Sequence, residues 1–123
     1  MNIRAPETKR GKYDDLIAQL RLFRTKLEIW SQERKAQGMF FCILTVMELQ
    51  PNRSAMSFVE AKRGSELELH WHAVSRAWLD IVNEMEGWLT IEPDALKHHI
   101  ENVASAIKWL EKNNPQEDIG IKY

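Results

Sequence analysis

Apolar residues recur every three or four positions over most of the chain, which is the spacing of one face of an α-helix. The first such stripe, over about 9–37, comprises Tyr13, Leu16, Ile17, Leu20, Phe23, Leu27 and Trp30. Gly38 comes directly after this segment, and a glycine in that position is typical of a helix C-terminus. The pattern therefore predicts a first helix over about 9–37, with Gly38 as the residue that follows its end.

A second long stripe begins after Ser65. Ser65 and Glu68 have the spacing of a capping box, in which hydroxyl and carboxylate accept from otherwise unpaired backbone N–H groups. Residues 66–72 also alternate between polar and apolar, as a half-buried strand does. The helical pattern covers the longer stretch, and its apolar positions are Leu67, Trp71, Val74, Trp78, Val82, Met85 and Leu89. We therefore favour a helix here.

The rest of the chain also has mostly helical patterns, except for one stretch that could be a helix or a strand. Pro93 stands at the first turn of a last helix, whose apolar stripe is Leu96, Ile100, Val103, Ile107 and Leu110. Residues 54–63 have the pattern of a short helix, whereas the apolar run 39–49 suits a strand or a buried helix equally. Ile119 and Ile121 suit a short docked strand near the end of the chain.

These elements predict one domain over residues 1–123, an all-α compact bundle of four to five helices. The alternative is an α+β fold in which residues 39–73 form a short antiparallel meander between helices. We expect residues 1–8 and 116–123 to be flexible or loosely docked termini.

Composition narrows the class of protein. The chain has 123 residues, 44% of them hydrophobic, and its five Trp, four Phe and two Tyr argue against disorder. The single cysteine, Cys42, has no cysteine partner within the chain, so a disulfide-stapled scaffold is excluded. We expect a cytoplasmic protein without a membrane partner, because no apolar run approaches the ~20 residues of a spanning helix and residues 1–15 lack the apolar core of a secretory signal.

The first helix has a second apolar face, almost opposite the first. Ala18, Leu22, Thr25 and Ile29 form this face with heptad-like spacing. Either the helix is central in the bundle and covered on both sides, or a partner or second copy packs there. Trp109 lies on the polar side of the last helix and is a separate candidate anchor. These residues favour a non-enzymatic protein–protein interaction module, such as an accessory subunit, inhibitor or adaptor, with a homodimer as one form.

Charge distribution suggests an alternative partner. Residues 1–63 carry 12 Lys and Arg against 7 Asp and Glu, whereas residues 64–123 carry 5 against 11. A nucleic-acid-binding protein would use Arg10, Arg21 and Arg24 of the basic N-terminal helix. The intervening acids make an ordinary solvated helix the more natural interpretation.

Chemistry-bearing residues are few, and we expect neither a cofactor nor a metal. On a strand, His70 and His72 would share a face with Glu66 and Glu68 and form a metal platform, but on a helix they would diverge. Arg63 precedes His70 with six residues between them. This spacing resembles the Arg–His motif of HEPN-type ribonucleases, which are small helical bundles. The resemblance covers eight residues and implies general acid–base chemistry at His70.

Overall fold

The computed structural model describes residues 9–47 and 64–118. Its helices are α1 (Asp14–Glu33), α2 (Ala36–Met47), α3 (Glu66–Met85) and α4 (Pro93–Lys112), and two short strands, β1 (Lys9–Gly11) and β2 (Gln116–Asp118), accompany them. The all-α bundle is confirmed. The alternative meander over residues 39–73 is wrong for the described part of that stretch, because residues 39–47 belong to α2 and residues 66–73 to α3. The predicted helix over 54–63 lies outside the described residues.

The helices form a ring in which α1 packs on α2 and α4, and α3 packs on the same two helices. Neighbouring helices are antiparallel. Gln19, early in α1, donates to the carbonyl of Thr45, late in α2, at 2.8 Å. His99, early in α4, lies 2.7 Å from Asp80, late in α3. The bundle therefore has an up-down-up-down order with all its helix ends at two poles.

The core stripe of α1 is confirmed. All seven predicted residues from Tyr13 to Trp30 are buried, with Leu16, Leu20, Phe23 and Leu27 fully so. On α4, Leu96, Val103, Ile107 and Leu110 are buried as predicted, while Ile100 is half-buried. Helical periodicity alone thus locates the faces that meet inside the bundle.

The predicted end of the first helix is wrong. The helix ends at Glu33, and Arg34 takes a left-handed conformation with φ of 54°. Its guanidinium donates to Glu84 at 2.8 Å and to the carbonyl of Ile91 at 2.9 Å. These tertiary bonds stabilise a turn that no pattern in the local sequence predicts. Gly38 lies within α2 and packs against Trp30.

The start of α3 has the predicted Ser65 cap, and the Glu68 carboxylate accepts from the residue before that cap. The Ser65 hydroxyl accepts from the Glu68 N–H at 3.3 Å, and the Glu68 carboxylate accepts from Gly64 at 2.5 Å. Further along, the predicted stripe drifts from the true core, which comprises Leu67, Val74, Ala77 and Ile81. The helix ends at Met85, which is exposed, so Leu89 lies beyond it.

The two ends of the described chain meet at one pole of the bundle. β1 and β2 pair antiparallel, with Gly11 opposite Gln116. The Asp14 carboxylate accepts from the Gly11 N–H at 2.9 Å and from the Asn114 side chain at 2.8 Å. Asn114 in turn accepts from the Tyr13 N–H at 2.8 Å. The predicted strand at Ile119 and Ile121 lies outside the described residues.

Candidate functional site

The second apolar face of α1 lies on the surface. Leu22 is 44% exposed and Ile29 47% exposed. Thr25, which lies between them, and Ala18, one turn before Leu22, are exposed as well. The Thr25 hydroxyl donates to the carbonyl of Arg21, four residues earlier, so it is satisfied within the helix. Leu22 and Ile29 are therefore not buried against the other helices that the structure describes.

The neighbouring helix α2 also exposes apolar side chains. On α2, Phe40, Phe41 and Leu44 are exposed by 45%, 41% and 38%. Phe41 borders α1, because the Lys26 ammonium lies 5.3 Å from the centre of its ring. Leu44 lies three residues further along the same side of α2. We use the name hairpin face for Leu22, Ile29, Phe40, Phe41 and Leu44.

Sequence reasoning missed the α2 half of the hairpin face. The run 39–47 is apolar almost all round, so its periodicity does not indicate an outer side. Only the packing of α2 on α1 and α3 decides which side faces water, and that packing buries Cys42 and Ile43. Burial raises the pKa of the Cys42 thiol to about 12, which makes it a core side chain rather than a nucleophile.

Trp109 lies apart from the hairpin face, on the surface between α3 and α4. It is partly buried, its indole N–H donates to the Glu66 carboxylate, and its ring centre is 5.7 Å from that of His70. The indole N–H is therefore satisfied within the chain. A role for Trp109 as a binding anchor stays a prediction.

The basic residues of the nucleic-acid alternative have acidic neighbours where the structure describes them. Arg21 pairs with Glu111 of α4 at 3.2 Å, and Arg24 pairs with Glu28 at 3.0 Å. Both pairs are exposed and hence weak, but they place a carboxylate beside each guanidinium. The side chain of Arg10 lies outside the part of the chain whose side chains are described.

The metal platform of His70 and His72 depends on a strand, and the structure has a helix there. Because residues 66–72 are helical, His70 and His72 point in directions roughly 200° apart. Within residues 9–47 and 64–118, no group of three or more His, Cys, Asp or Glu side chains is placed to hold a metal ion. Burial lowers the pKa of His70, with Glu66 opposing the shift. Arg63 lies outside the described residues, so the Arg–His resemblance stays a prediction.

A buried polar pair that sequence reasoning did not find joins α3 to α4. His99 is 7% exposed, and its Nε2 lies 2.7 Å from an Asp80 carboxylate oxygen. Its Nδ1 is buried without a hydrogen-bond partner. The pair joins the two helices, with the imidazole enclosed and the Asp80 side chain 33% exposed.

No protein-family model, curated protein or solved structure matches the chain. Among the described helices, none has the length and apolar character needed to cross a membrane. Any assignment of function must therefore rest on the surfaces described above.

Proposed function

We propose that this protein is a non-enzymatic interaction module that binds a partner through the hairpin face. The observation that supports the proposal is the exposure of Leu22 and Ile29 by 44% and 47% on the helix that also forms the centre of the core. Single exposed apolar residues are common and need no explanation. Here, two helices that pack together expose five.

The size of the surface favours binding. At these exposed fractions, the five side chains together present roughly 400 Å² of apolar area, and a partner that covered all five would bury an area as large as the largest patches of monomeric proteins. The heptad-like spacing of Ala18, Leu22, Thr25 and Ile29 suits a partner that presents an apolar helix. The small side chains of Ala18 and Thr25 allow that helix to approach closely.

A second copy of the chain is the simplest partner that satisfies this description. Two antiparallel copies of α1 related by a twofold axis near Thr25 would bring Leu22 of each opposite Ile29 of the other, so the surface is self-complementary. If the partner is instead a different protein with a similar helix, this chain would act as its accessory subunit, inhibitor or adaptor. A cytoplasmic location belongs to the proposal and is supported by the one unpaired cysteine, Cys42.

Sedimentation velocity tests the proposal. We expect the wild-type mass to rise with concentration, and the double variant Leu22→Asp, Ile29→Asp to sediment as a monomer with an unchanged helical circular dichroism spectrum. Leu79→Asp is the matched control, because Leu79 is 51% exposed on α3 and lies outside the hairpin face. It should behave as wild type.

If the wild type is monomeric, co-purification from the native host provides the second arm. A specific partner should be lost with the double variant and kept with Leu79→Asp. A monomer that keeps its fold and every partner after the double substitution would refute the proposal.

A further inference from the structure

A groove of about 510 Å³ lies between the C-terminal end of α1 and the first two turns of α4. The buried Leu96 and the half-buried Ile100 form its apolar floor, and the exposed Pro93, Lys97 and Glu101 and the half-buried Arg34 line its rim. A volume of this size is typical of sites for small molecules. On α1, the groove lies beside Ser31, on the side away from Leu22 and Ile29, so it is separate from the hairpin face.

Arg34 offers hydrogen-bond donors to this groove. Both of its side-chain hydrogen bonds use Nη2, which donates to Glu84 and to the carbonyl of Ile91. Within the described part of the chain, its Nε and Nη1 donate to no acceptor. The guanidinium also stacks 4.5 Å from the centre of the Trp30 ring. It is therefore held in a fixed place while three N–H groups stay available, which suits recognition of a carboxylate.

Lys97 adds a second cation on the other side of the groove. It is exposed and forms no ion pair among the described residues. The nearby carboxylates limit the charge that the groove accepts, because Glu84 pairs with Arg34 and Glu101 lies on the rim. These two cations and two carboxylates cancel, so the groove favours a ligand that is mostly apolar and carries a single negative charge over a dianion such as a phosphate monoester, which both carboxylates would repel more strongly.

We propose that the α1–α4 groove binds a small amphipathic carboxylate, with its apolar body on Leu96 and Ile100 and its carboxylate between Arg34 and Lys97. The apolar floor supplies most of the binding free energy, and the donors of Arg34 and Lys97 orient the carboxylate of the ligand. The proposal is independent of the protein–protein interaction at the hairpin face.

Isothermal titration calorimetry with sodium decanoate, below its micellar concentration, tests the proposal on the full chain. We expect saturable 1:1 binding. Lys97→Glu should weaken it by about fivefold to tenfold, because the substitution replaces attraction with repulsion. Glu101→Gln should strengthen it, because it removes the carboxylate on the rim.

Lys108→Glu is the matched control. Lys108 is also exposed on the same side of α4 but lies three turns from Lys97, outside the groove. It should leave the affinity unchanged, and 1-decanol, which has no charge, should bind at least about fivefold more weakly than decanoate. The proposal is overturned if decanoate does not saturate, if decanol binds as well, or if Lys97→Glu and Lys108→Glu have equal effects.

Discussion

The carboxylate of Glu84 holds one pole of the bundle together, and removing it should destabilise the whole fold. One of its oxygens accepts from Arg34 Nη2 at 2.8 Å and from the Ile91 N–H at 2.6 Å. The Glu84 side chain is only 14% exposed and that of Arg34 29% exposed. These two bonds join the end of α1, the end of α3 and the segment that leads into α4.

We expect Glu84→Ala to lower the free energy of unfolding by about 2–4 kcal/mol. The Ile91 N–H, on a residue that is 3% exposed, loses its acceptor, at a cost of about 1–3 kcal/mol. The charge-assisted bond to Arg34 adds about 1 kcal/mol once the partial exposure of the guanidinium is allowed for. Glu84→Gln keeps an oxygen acceptor, so it should cost only about 1 kcal/mol.

Urea denaturation followed by circular dichroism measures these differences. Glu86→Ala is the control, since Glu86 is exposed two residues further along and its side chain forms no bond within the described residues. It should change the free energy of unfolding by less than about 0.5 kcal/mol. If Glu84→Ala were as mild as Glu86→Ala, the network would contribute nothing and this reasoning would fail.

Three further predictions concern single residues. Gly11→Ala should destabilise the protein by about 1–3 kcal/mol in the same urea assay, because the added Cβ would overlap the Asn114 side chain. Cys42 should resist a thiol reagent such as Ellman's reagent in the native state, since burial raises its pKa to about 12, and should react once urea unfolds the chain; rapid native labelling would contradict its burial. Burial lowers the pKa of His70, so this imidazole binds a proton at a higher pH in the unfolded chain than in the folded one. The contribution of neutral His70 to stability is therefore present above about pH 6.5 and is lost as the pH falls below that value. Urea denaturation at about pH 7.5 and about pH 5.5 should therefore show a smaller loss for His70→Gln than for wild type, while a His98→Gln control should follow wild type; equal losses for all three would exclude this role of His70.

The sequence predicts those parts of the fold that local patterns encode. The stripe from Tyr13 to Trp30 identifies the buried side of α1, and the pair Ser65 and Glu68 marks the start of α3, because both signals depend on spacing within a few turns. The break between α1 and α2 depends instead on bonds from Arg34 to residues at least 50 positions away. No local pattern can reveal such a turn.

The same distinction explains what sequence reasoning found of the candidate site. Leu22 and Ile29 could be recognised because α1 has polar residues between its two apolar sides. Phe41 and Leu44 could not, because the run around them is apolar on every side and only tertiary packing selects the exposed one. The α1–α4 groove combines Arg34 with residues about 60 positions later, so it too exists only in the folded chain.

The topology of the bundle explains why the fold itself does not need the apolar residues on the exposed side of α1. In a ring of four helices, each helix contacts two neighbours and turns its remaining surface outward. The core stripe of α1 already satisfies both contacts, so burial within this bundle does not require Leu22 or Ile29 to be apolar. Leaving each partly in water forgoes a share of the roughly 1.5–3 kcal/mol that full burial of such a side chain provides. We therefore expect a polar residue at either position to leave the fold intact, so substitution of this pair can test the proposed interaction separately from folding.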